Sequence, residues 1–193
     1  MGWFVGPECV VCSARGAVVC ESCWQSLDPP GTDGPRALFA YTGAGRDIVA
    51  ALKFRGRRRL APFLAGPLST LTPAGLSLVT WAPTSLARRS ARGFDQAELL
   101  AVALAKSIGV PAKSALARAP GDPQTGLSKT ARHRGPTFVA VRPSLMNGAK
   151  VLLVDDVVTT GATLDGARSV LLHAGATEVF TVAVAKTAKL RPT

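Results

Sequence analysis

Residues 151–164 read Val-Leu-Leu-Val-Asp-Asp-Val-Val-Thr-Thr-Gly-Ala-Thr-Leu, and this stretch is the most informative part of the sequence. Its apolar start, Val151 to Val154, is typical of a strand that is buried on both faces, as in a parallel sheet. Two adjacent carboxylates, Asp155 and Asp156, stand at the C-terminal end of that predicted strand. Open α/β sheets bind their ligands at this end of the strands, so the acidic pair is a candidate binding site.

A turn from Thr159 to Thr163 follows the acidic pair and is predicted to open a helix. Unpaired backbone N–H groups and the positive end of the helix dipole favour a phosphate there. Gly161 allows the backbone to approach a ligand closely, and the hydroxyls of Thr159, Thr160 and Thr163 can donate hydrogen bonds to it. A strand, a polar loop and a capped helix without any ligand would share parts of this pattern. The complete run of both acids and the Thr-Thr-Gly-Ala-Thr turn favours the phosphate site.

The same stretch resembles the phosphoribosyl pyrophosphate (PRPP) signature of type I phosphoribosyltransferases. The resemblance implies that Asp155 and Asp156 bind the ribose hydroxyls. It also implies that Mg²⁺ binds together with PRPP, and that the 5-phosphate is held by Thr159, Thr160, Gly161, Ala162 and Thr163.

All four cysteines of the chain lie near its N-terminus, as Cys9-Val-Val-Cys12 and Cys20-Glu-Ser-Cys23. Two Cys-x-x-Cys pairs joined by a short link supply four thiolates at a spacing typical of a tetrahedral zinc site. A peptide this short cannot bury enough surface to order itself, so metal binding would contribute its folding free energy. Two disulfides and a redox-active Cys-x-x-Cys are the alternatives, and a reducing compartment disfavours the disulfides. We expect a structural Zn²⁺ in a closed knuckle.

A turn-rich linker, Asp28 to Pro35, divides the chain into a zinc knuckle with its linker in residues 1–35 and a second domain in residues 36–193. Predicted strands and helices alternate in the second domain, which indicates a parallel sheet of βαβ units. The expected fold class is therefore α/β, a type I phosphoribosyltransferase-like parallel sheet flanked by helices. Two segments are predicted as loops, the basic residues Leu86 to Phe94 and the long segment Arg118 to Pro136.

The formal net charge is +11, and the basic residues are clustered at residues 55–59, 88–92 and 129–134. Such a balance suits a polyanionic partner such as nucleic acid or pyrophosphate, and a basic surface that serves solubility alone is the alternative. No apolar run approaches the roughly 20 residues that span a bilayer, and the N-terminus lacks the pattern of a signal peptide. We therefore expect a cytoplasmic protein with no membrane span.

Further segments extend the resemblance along almost the whole chain. They are Leu52-Lys53-Phe54-Arg55-Gly56, Arg92-Gly93-Phe94-Asp95-Gln96 and Pro123-Gln124-Thr125-Gly126, in this order between the four-cysteine knuckle and the PRPP turn. Together they resemble the ComF family of bacterial competence proteins and their GntX-type relatives. Two positions depart from the family's pattern: Asp95 stands where the family usually has Asn, and residues 132–136 replace its usual Arg-Asn-Val-type run. Lys53 and Phe54 would either contact a ligand or pack, with packing favoured for Phe54.

The resemblance implies a PRPP-binding protein that acts in competence or DNA uptake, and an enzyme of this kind would transfer phosphoribose to a nucleobase or an amine. In such an enzyme Arg88, Arg89 and Arg92 would bind pyrophosphate, and residues 118–136 would close over the ligand as a hood. The alternative is a non-catalytic protein that binds a nucleotide or single-stranded DNA and docks a helicase-like partner through the knuckle. The sequence leaves the choice open, because no residue identifies an acceptor.

Overall fold

A four-stranded parallel sheet forms the centre of the computed structural model, which describes residues 6–119 and 136–187. In chain order, the elements are α1 (Glu21–Gln25), β1 (Arg36–Ala40), α2 (Gly43–Phe54), α3 (Leu60–Ser69), β2 (Leu78–Trp81), α4 (Leu86–Arg92), α5 (Gln96–Ile108), β3 (Leu116–Arg118), β4 (Phe138–Ala140), a 3₁₀ turn (Pro143–Met146), β5 (Lys150–Val158), α6 (Ala162–His173) and β6 (Glu178–Lys186). The sheet has the strand order β1-β6-β5-β2, and every neighbouring pair is parallel. No helix among these described residues is long and apolar enough to cross a membrane.

Strand β5 carries the acidic pair and lies inside the sheet. It pairs with β6 along its length and with β2 over its first half. The sequence placed the acids at the end of this strand, but Asp155 and Asp156 lie within it, because Val157 and Val158 still pair with β6. The neighbouring strand β2 has already ended at Trp81, opposite Val154. The acids therefore project from a regular strand at the point where its other neighbour stops.

Helices cover both faces of the sheet, and two separate apolar clusters form the core. Side chains of β5 alternate between them. Leu152 and Val154 belong to one cluster with α2, α3 and α5, while Val151 and Leu153 belong to the other with α6. Burial on both faces is the reason why the first half of β5 reads as an uninterrupted apolar run. The predicted α/β class, a parallel sheet flanked by helices, is confirmed.

Residues 86–92 form the short helix α4, where the sequence predicted a basic loop. No residue of α4 is buried, and Leu86 is 83 % exposed, so the helix has no apolar face that a sequence pattern could reveal. The helix is instead defined by the residues that cap its two ends. The Ser85 hydroxyl accepts a hydrogen bond from the backbone N–H of Arg88 at 3.4 Å, and Gly93 ends the helix with a φ of 74°.

Strands β3 and β4 pair as an antiparallel ribbon at the two ends of the predicted hood. Residues 120–135, which include most of the hood and the whole Pro123-to-Gly126 motif, lie outside the described residues. Before the ribbon, Ala112 forms a single parallel bridge with Val79, and β3 follows. The ribbon is tied to the sheet by Arg118, whose Nε donates a hydrogen bond to the carbonyl of Pro83 at 2.8 Å.

The N-terminal region packs directly on the larger domain. Val10 and cysteines of both Cys-x-x-Cys pairs share the apolar cluster that contains α2 and α3. Trp24 of α1 lies edge-on to Phe39 and Phe63, with ring centroids 6.3 and 5.5 Å apart. Arg55, at the C-terminal end of α2, donates a hydrogen bond to the carbonyl of Val10 at 3.2 Å. The knuckle and the end of α2 are therefore held together by both apolar and polar contacts.

Candidate functional site

A cleft with a volume of about 370 Å³ opens beside the C-terminal half of β5. The segments that follow β1, β2 and β5 meet here, because parallel strands deliver their C-terminal ends to one edge of the sheet. Among the described residues, the cleft is lined by Tyr41, Lys53, Ala82, Thr84, Arg88, Arg92, Asp95, Gln96, Ala97, Arg118, Asp155, Asp156, Val157, Thr159 and Thr163. Of the predicted ligand contacts, this set includes both acids, two of the threonines and two of the arginines.

The two carboxyl groups of the acidic pair have different surroundings. Asp156 is 5 % exposed; its Oδ1 lies 2.9 Å from Lys53 Nζ, and its Oδ2 has no hydrogen-bond partner among the described residues. Asp155 Oδ1 accepts a hydrogen bond from the backbone N–H of Asp156 at 2.8 Å. Burial, and then the negative charge of Asp156, raise the pKa of Asp155 from 3.8 to about 8; the Asp156 N–H and Lys53 oppose this rise only in part. This rise favours the protonated form of Asp155, which would offer an O–H donor to hydroxyl groups beside the acceptor oxygens of the pair.

The turn before α6 presents backbone N–H groups next to the acids. Gly161 holds the N-cap position with a φ of 89°, a left-handed conformation that glycine adopts without strain. It has no side chain that could satisfy the first N–H groups of the helix, and Thr160 Oγ1 accepts only a long hydrogen bond of 3.4 Å from Ala162 N. Thr159 and Thr163 line the cleft, whereas Thr160, Gly161 and Ala162 form the turn between them. The start of α6 is therefore suited to an anion.

The three arginines predicted to bind pyrophosphate separate into two groups. Arg88 and Arg92 line the cleft, and the Arg92 guanidinium lies over the ring of Phe54 at 5.0 Å. Arg89 instead pairs with Glu98 at 3.4 Å and lines an adjoining cavity of about 600 Å³. The sequence favoured packing for Phe54. In the structure its ring stacks with Arg92, but the residue remains 70 % exposed. Two further cations line the cleft: Lys53, for which the sequence left ligand contact and packing open, and Arg118, the first residue of the predicted hood.

Asp95 holds two loops of the cleft together. Its Oδ2 accepts a hydrogen bond from Thr84 N at 2.8 Å, and its Oδ1 accepts from Ala97 N at 3.0 Å and from Glu98 N at 3.4 Å. The side chain thus caps α5 and fixes the segment after β2. Both oxygens act as acceptors, which an asparagine with one acceptor oxygen cannot reproduce. The departure from the family's usual Asn therefore has a structural consequence at the edge of the site.

Several residues of the cleft were missed by the sequence reasoning. Gln96 is 6 % exposed, and its Oε1 has no partner within the described part of the chain. Tyr41, the single tyrosine of the sequence, lies just after β1. The sequence contained a signal for Gln96, since it belongs to the Arg92-to-Gln96 motif and is the first residue of the amphipathic helix α5. Tyr41 gives no comparable signal, because it reaches the cleft only through the pairing of β1 with β6.

The four cysteine sulfurs form one compact group. Their ligand atoms all lie within 4.8 Å of one another, and Cys12 Sγ and Cys20 Sγ are 3.5 Å apart. A tetrahedral zinc site with Zn–S bonds of roughly 2.3 Å requires sulfur–sulfur distances of roughly 3.8 Å. Hydrogen bonds with Ser22 and with the Cys23 backbone lower the pKa of Cys20 to about 6, which favours its thiolate form. The group could hold a metal ion such as zinc.

Comparison with known proteins identifies the family. The phosphoribosyl transferase domain model matches residues 95–192, slightly more than half of the chain. The chain belongs to the phosphoribosyl transferase domain family. It is 31 % identical over 183 residues to the DNA utilization protein YhgH of Salmonella typhimurium. This alignment covers 90 % of this chain and 80 % of YhgH. It is 28 % identical over 180 residues to the competence protein ComFC of Bacillus subtilis, covering 88 % of this chain and 73 % of ComFC. The kinship with ComF proteins that the sequence motifs indicated is confirmed.

A solved structure shares the fold. Glutamine PRPP amidotransferase from Bacillus subtilis, in complex with ADP and GMP, aligns with a TM-score of 0.50 at 20 % identity over 79 % of this chain and 32 % of that one. This chain therefore spans about a third of the amidotransferase. A phosphoribosyl transferase domain implies a ligand of the PRPP type. The family match begins at Asp95, so the cysteine cluster and Lys53 of α2 lie outside it.

Proposed function

We propose that this protein binds PRPP with Mg²⁺ through the acidic pair of β5 and the turn that opens α6. The observation that carries the proposal is that both features line one cleft of about 370 Å³ together with Arg88 and Arg92. PRPP presents ribose hydroxyls, a 5-phosphate and a pyrophosphate. The cleft offers a chemically matched group to each: carboxyl oxygens, the N–H groups of a helix start, and guanidinium groups.

The proposed roles follow from these matches. Asp155 and Asp156 would bind the ribose hydroxyls, and Thr159 and Thr163 would bind the 5-phosphate with the backbone of residues 160–162. Mg²⁺ prefers oxygen ligands. Oδ2 of Asp156, which has no hydrogen-bond partner among the described residues, is an oxygen of the kind that the ion or its bound water would contact. When bound, the ion would neutralise part of the pyrophosphate charge. Arg89 has no place in this arrangement, because it pairs with Glu98 outside the cleft.

Such a site supports transfer of the phosphoribosyl group to a nucleobase or an amine. The bond between ribose C1 and pyrophosphate breaks, a C1–N bond forms, and the acceptor nitrogen loses a proton. The acidic pair would stabilise the positive charge that develops at C1, while Arg88 and Arg92 would stabilise the departing pyrophosphate. Tyr41 lines the same cleft, and its ring offers a surface on which a planar acceptor could stack.

Calorimetric titration with PRPP and Mg²⁺ tests the binding step. We expect the wild type to bind and Asp156→Ala to lose at least about tenfold in affinity, since a hydrogen bond to a charged group is worth about 1.5–3 kcal/mol. Glu178→Gln removes a carboxylate from an exposed ion pair with Lys150 and is the matched control that should bind like the wild type. Wild-type protein that does not bind PRPP, or unchanged binding in Asp156→Ala, refutes the proposal. Release of pyrophosphate on addition of nucleobases or amines then identifies a transferase.

We further propose that residues 1–35 form an appendage of the domain in residues 36–193 and that one Zn²⁺ organises it. The support is the close grouping of the sulfurs of Cys9, Cys12, Cys20 and Cys23. Thiols kept for a metal require a reducing compartment, so we place the protein in the cytoplasm. Metal analysis of purified protein should find about one zinc per chain, as in other four-cysteine sites. A folded, metal-free protein with two disulfides would contradict this assignment.

A second candidate function, binding of single-stranded DNA, is favoured by two arginine–phenylalanine stacks. Arg92 lies over Phe54 at 5.0 Å, and Arg58 lies over Phe94 at 4.8 Å. Basic side chains interleaved with aromatic rings are the elements with which proteins follow a single strand. The two relatives described above are named for competence and for DNA utilization. On this proposal the protein would act in DNA uptake, with the knuckle docking a helicase-like partner.

Affinity for an oligothymidine strand as a function of salt tests this second function. Phosphate contacts by arginines make the association constant fall steeply between roughly 50 and 200 mM salt. Replacing Arg58 and Arg92 by glutamine should weaken binding and flatten the salt dependence. Replacing Arg46, an exposed arginine of α2, removes one positive charge away from the stacks and serves as the control for each single replacement of Arg58 or Arg92. A flat salt response of the wild type would rule out this function.

A further inference from the structure

The ion pair between Lys53 and Asp156 differs from the other ion pairs in the described part of the chain. Lys53 Nζ lies 2.9 Å from Asp156 Oδ1, and the two side chains are 18 % and 7 % exposed. The others lie on the surface, with every side chain at least a third exposed. Lys53 reaches the acidic pair from α2, a helix that the family model does not cover. A cation from outside the family match is therefore paired with the proposed ribose-binding carboxylate.

Stability alone accounts poorly for this pair. The desolvation of two buried charges offsets their attraction unless the remaining hydrogen-bonding atoms are also satisfied. Oδ2 of Asp156 is buried without a partner among the described residues, and the neighbouring Asp155 is a second acid. Lys53 thus satisfies one oxygen of a carboxylate whose other oxygen is an acceptor for a hydroxyl group. Such a half-satisfied group is typical of a binding site rather than of a structural ion pair.

The backbone of Lys53 is held in place by its neighbours, whereas its side chain is long and flexible. The preceding residue, Leu52, is fully buried, and Arg55 donates hydrogen bonds to the carbonyls of Val10 at 3.2 Å and Asp47 at 3.4 Å. The lysine side chain is a flexible four-carbon stem with a compact ammonium that can turn between acceptors. Any anion bound by the arginines of the cleft would share that cleft with Lys53 Nζ.

We propose that Lys53 is a ligand-binding residue that exchanges partners: it neutralises Asp156 in the free protein and moves to a pyrophosphate oxygen when ribose hydroxyls occupy that carboxylate. This inference rests on the proposed PRPP function and adds to it a residue outside the family match. The exchange keeps every charge paired at each stage, because a free carboxylate would repel the incoming anion and a free ammonium would remain desolvated. The charged groups that line the cleft are Lys53, Arg88, Arg92, Arg118, Asp95, Asp155 and Asp156.

Calorimetry with three ligands tests the exchange: Mg²⁺-pyrophosphate, ribose 5-phosphate, and PRPP with Mg²⁺. In Lys53→Gln we expect affinity for pyrophosphate and PRPP to fall roughly ten- to a hundredfold, because one charge-assisted hydrogen bond is lost. Affinity for ribose 5-phosphate should stay the same or rise, because no cation competes for Asp156. Lys53→Arg should restore part of the pyrophosphate affinity. Lys150→Gln, which breaks an exposed ion pair with Glu178, is the matched control and should leave all three affinities unchanged.

A second measurement uses the wild type and does not depend on the folding of a variant. Reductive methylation followed by mass spectrometry reports the accessibility of the Lys53 amine. We expect ribose 5-phosphate to increase its labelling, since the hydroxyls displace it from Asp156, and PRPP to decrease it. Equal effects of both ligands, or none, would overturn the exchange. So would unchanged PRPP affinity in Lys53→Gln, or a parallel loss for all three ligands together with a lower melting temperature. If the wild type binds none of the ligands, the PRPP function itself fails and the exchange fails with it.

Discussion

Replacement of Asp155 by asparagine is expected to stabilise the folded protein relative to the wild type, and this gain should grow as the pH rises. Burial next to Asp156 raises the pKa of Asp155 to about 8 in the folded state, above its ordinary value of 3.8. Between these two values the folded protein binds a proton that the unfolded chain has released. The unfolding free energy of the wild type therefore falls as the pH rises from about 4 to about 8, and it levels off above that range.

The magnitude follows from the width of this window. At about 1.36 kcal/mol per pH unit, one proton contributes roughly 4 kcal/mol between pH 5 and pH 8. Asp155 is partly exposed at the cleft, and solvent screening reduces this figure, so we expect about 2 kcal/mol. An asparagine at this position keeps an acceptor oxygen for the Asp156 N–H but carries no ionisable group. The variant should therefore gain about 2 kcal/mol over the wild type between pH 5 and pH 8.

Urea unfolding of both proteins at several pH values measures this difference. Zinc-loaded protein should be used, so that titration of the cysteines contributes equally to both curves and cancels. Glu178→Gln, which lacks an exposed carboxylate, should show the same difference from the wild type at pH 5 and pH 8. If the unfolding free energies of Asp155→Asn and the wild type changed in parallel with pH, the reasoning would be refuted. A variant that is less stable than the wild type at pH 8 would refute it as well. The proposed function adds that PRPP affinity should fall in the same variant, because the carboxyl group assigned to the ribose is lost.

Three further perturbations test the surroundings of the cleft. Asp95→Ala removes the acceptor of three backbone N–H groups and should cost about 2–3 kcal/mol of unfolding free energy, with a smaller loss in Asp95→Asn; equal stability of all three proteins in urea would contradict this. Gly161→Ala forces a φ of 89° on a residue with a Cβ that would lie 3.4 Å from Asp165 Oδ2, so the melting temperature should drop by an amount that corresponds to about 1–2 kcal/mol. Removal of zinc with a chelator should accelerate amide hydrogen exchange in residues 6–27 and leave β5 protected; unchanged exchange in the knuckle would show that the metal does not order it.

The signature unit could be predicted because each of its features is local. Val151 to Val154 are buried on both faces, and burial of this kind selects apolar residues at every position of a strand. Gly161 occupies a left-handed conformation that few other residues tolerate, which marks the turn in the sequence. The helix after it begins where the turn ends. Neighbouring residues specify these elements, so a pattern within about fifteen residues contains the necessary information.

Other elements depend on interactions that such a pattern does not contain. Helix α4 has no buried residue and is defined by its Ser85 and Gly93 ends, so hydrophobic periodicity does not reveal it. The continuation of β5 through Val158 depends on pairing with β6, which lies later in the chain. In both cases the local sequence is compatible with a loop, and contacts of the folded chain decide between the alternatives.

The composition of the cleft is the least predictable feature, and the strand order explains why. The first strand of the domain pairs with the last, β1 beside β6, and this brings the segment after β1 to the edge where β5 presents its acids. Tyr41 and Lys53 reach the cleft by this route; the sequence contained no signal for Tyr41 and left the role of Lys53 open. The region that matches the family, residues 95–192, contains the acidic pair and the turn of α6 but neither of these two residues. The family match thus implies the type of ligand, whereas the proposed roles of Lys53 and Tyr41 in charge balance and acceptor binding rest on the part of the chain that it does not cover.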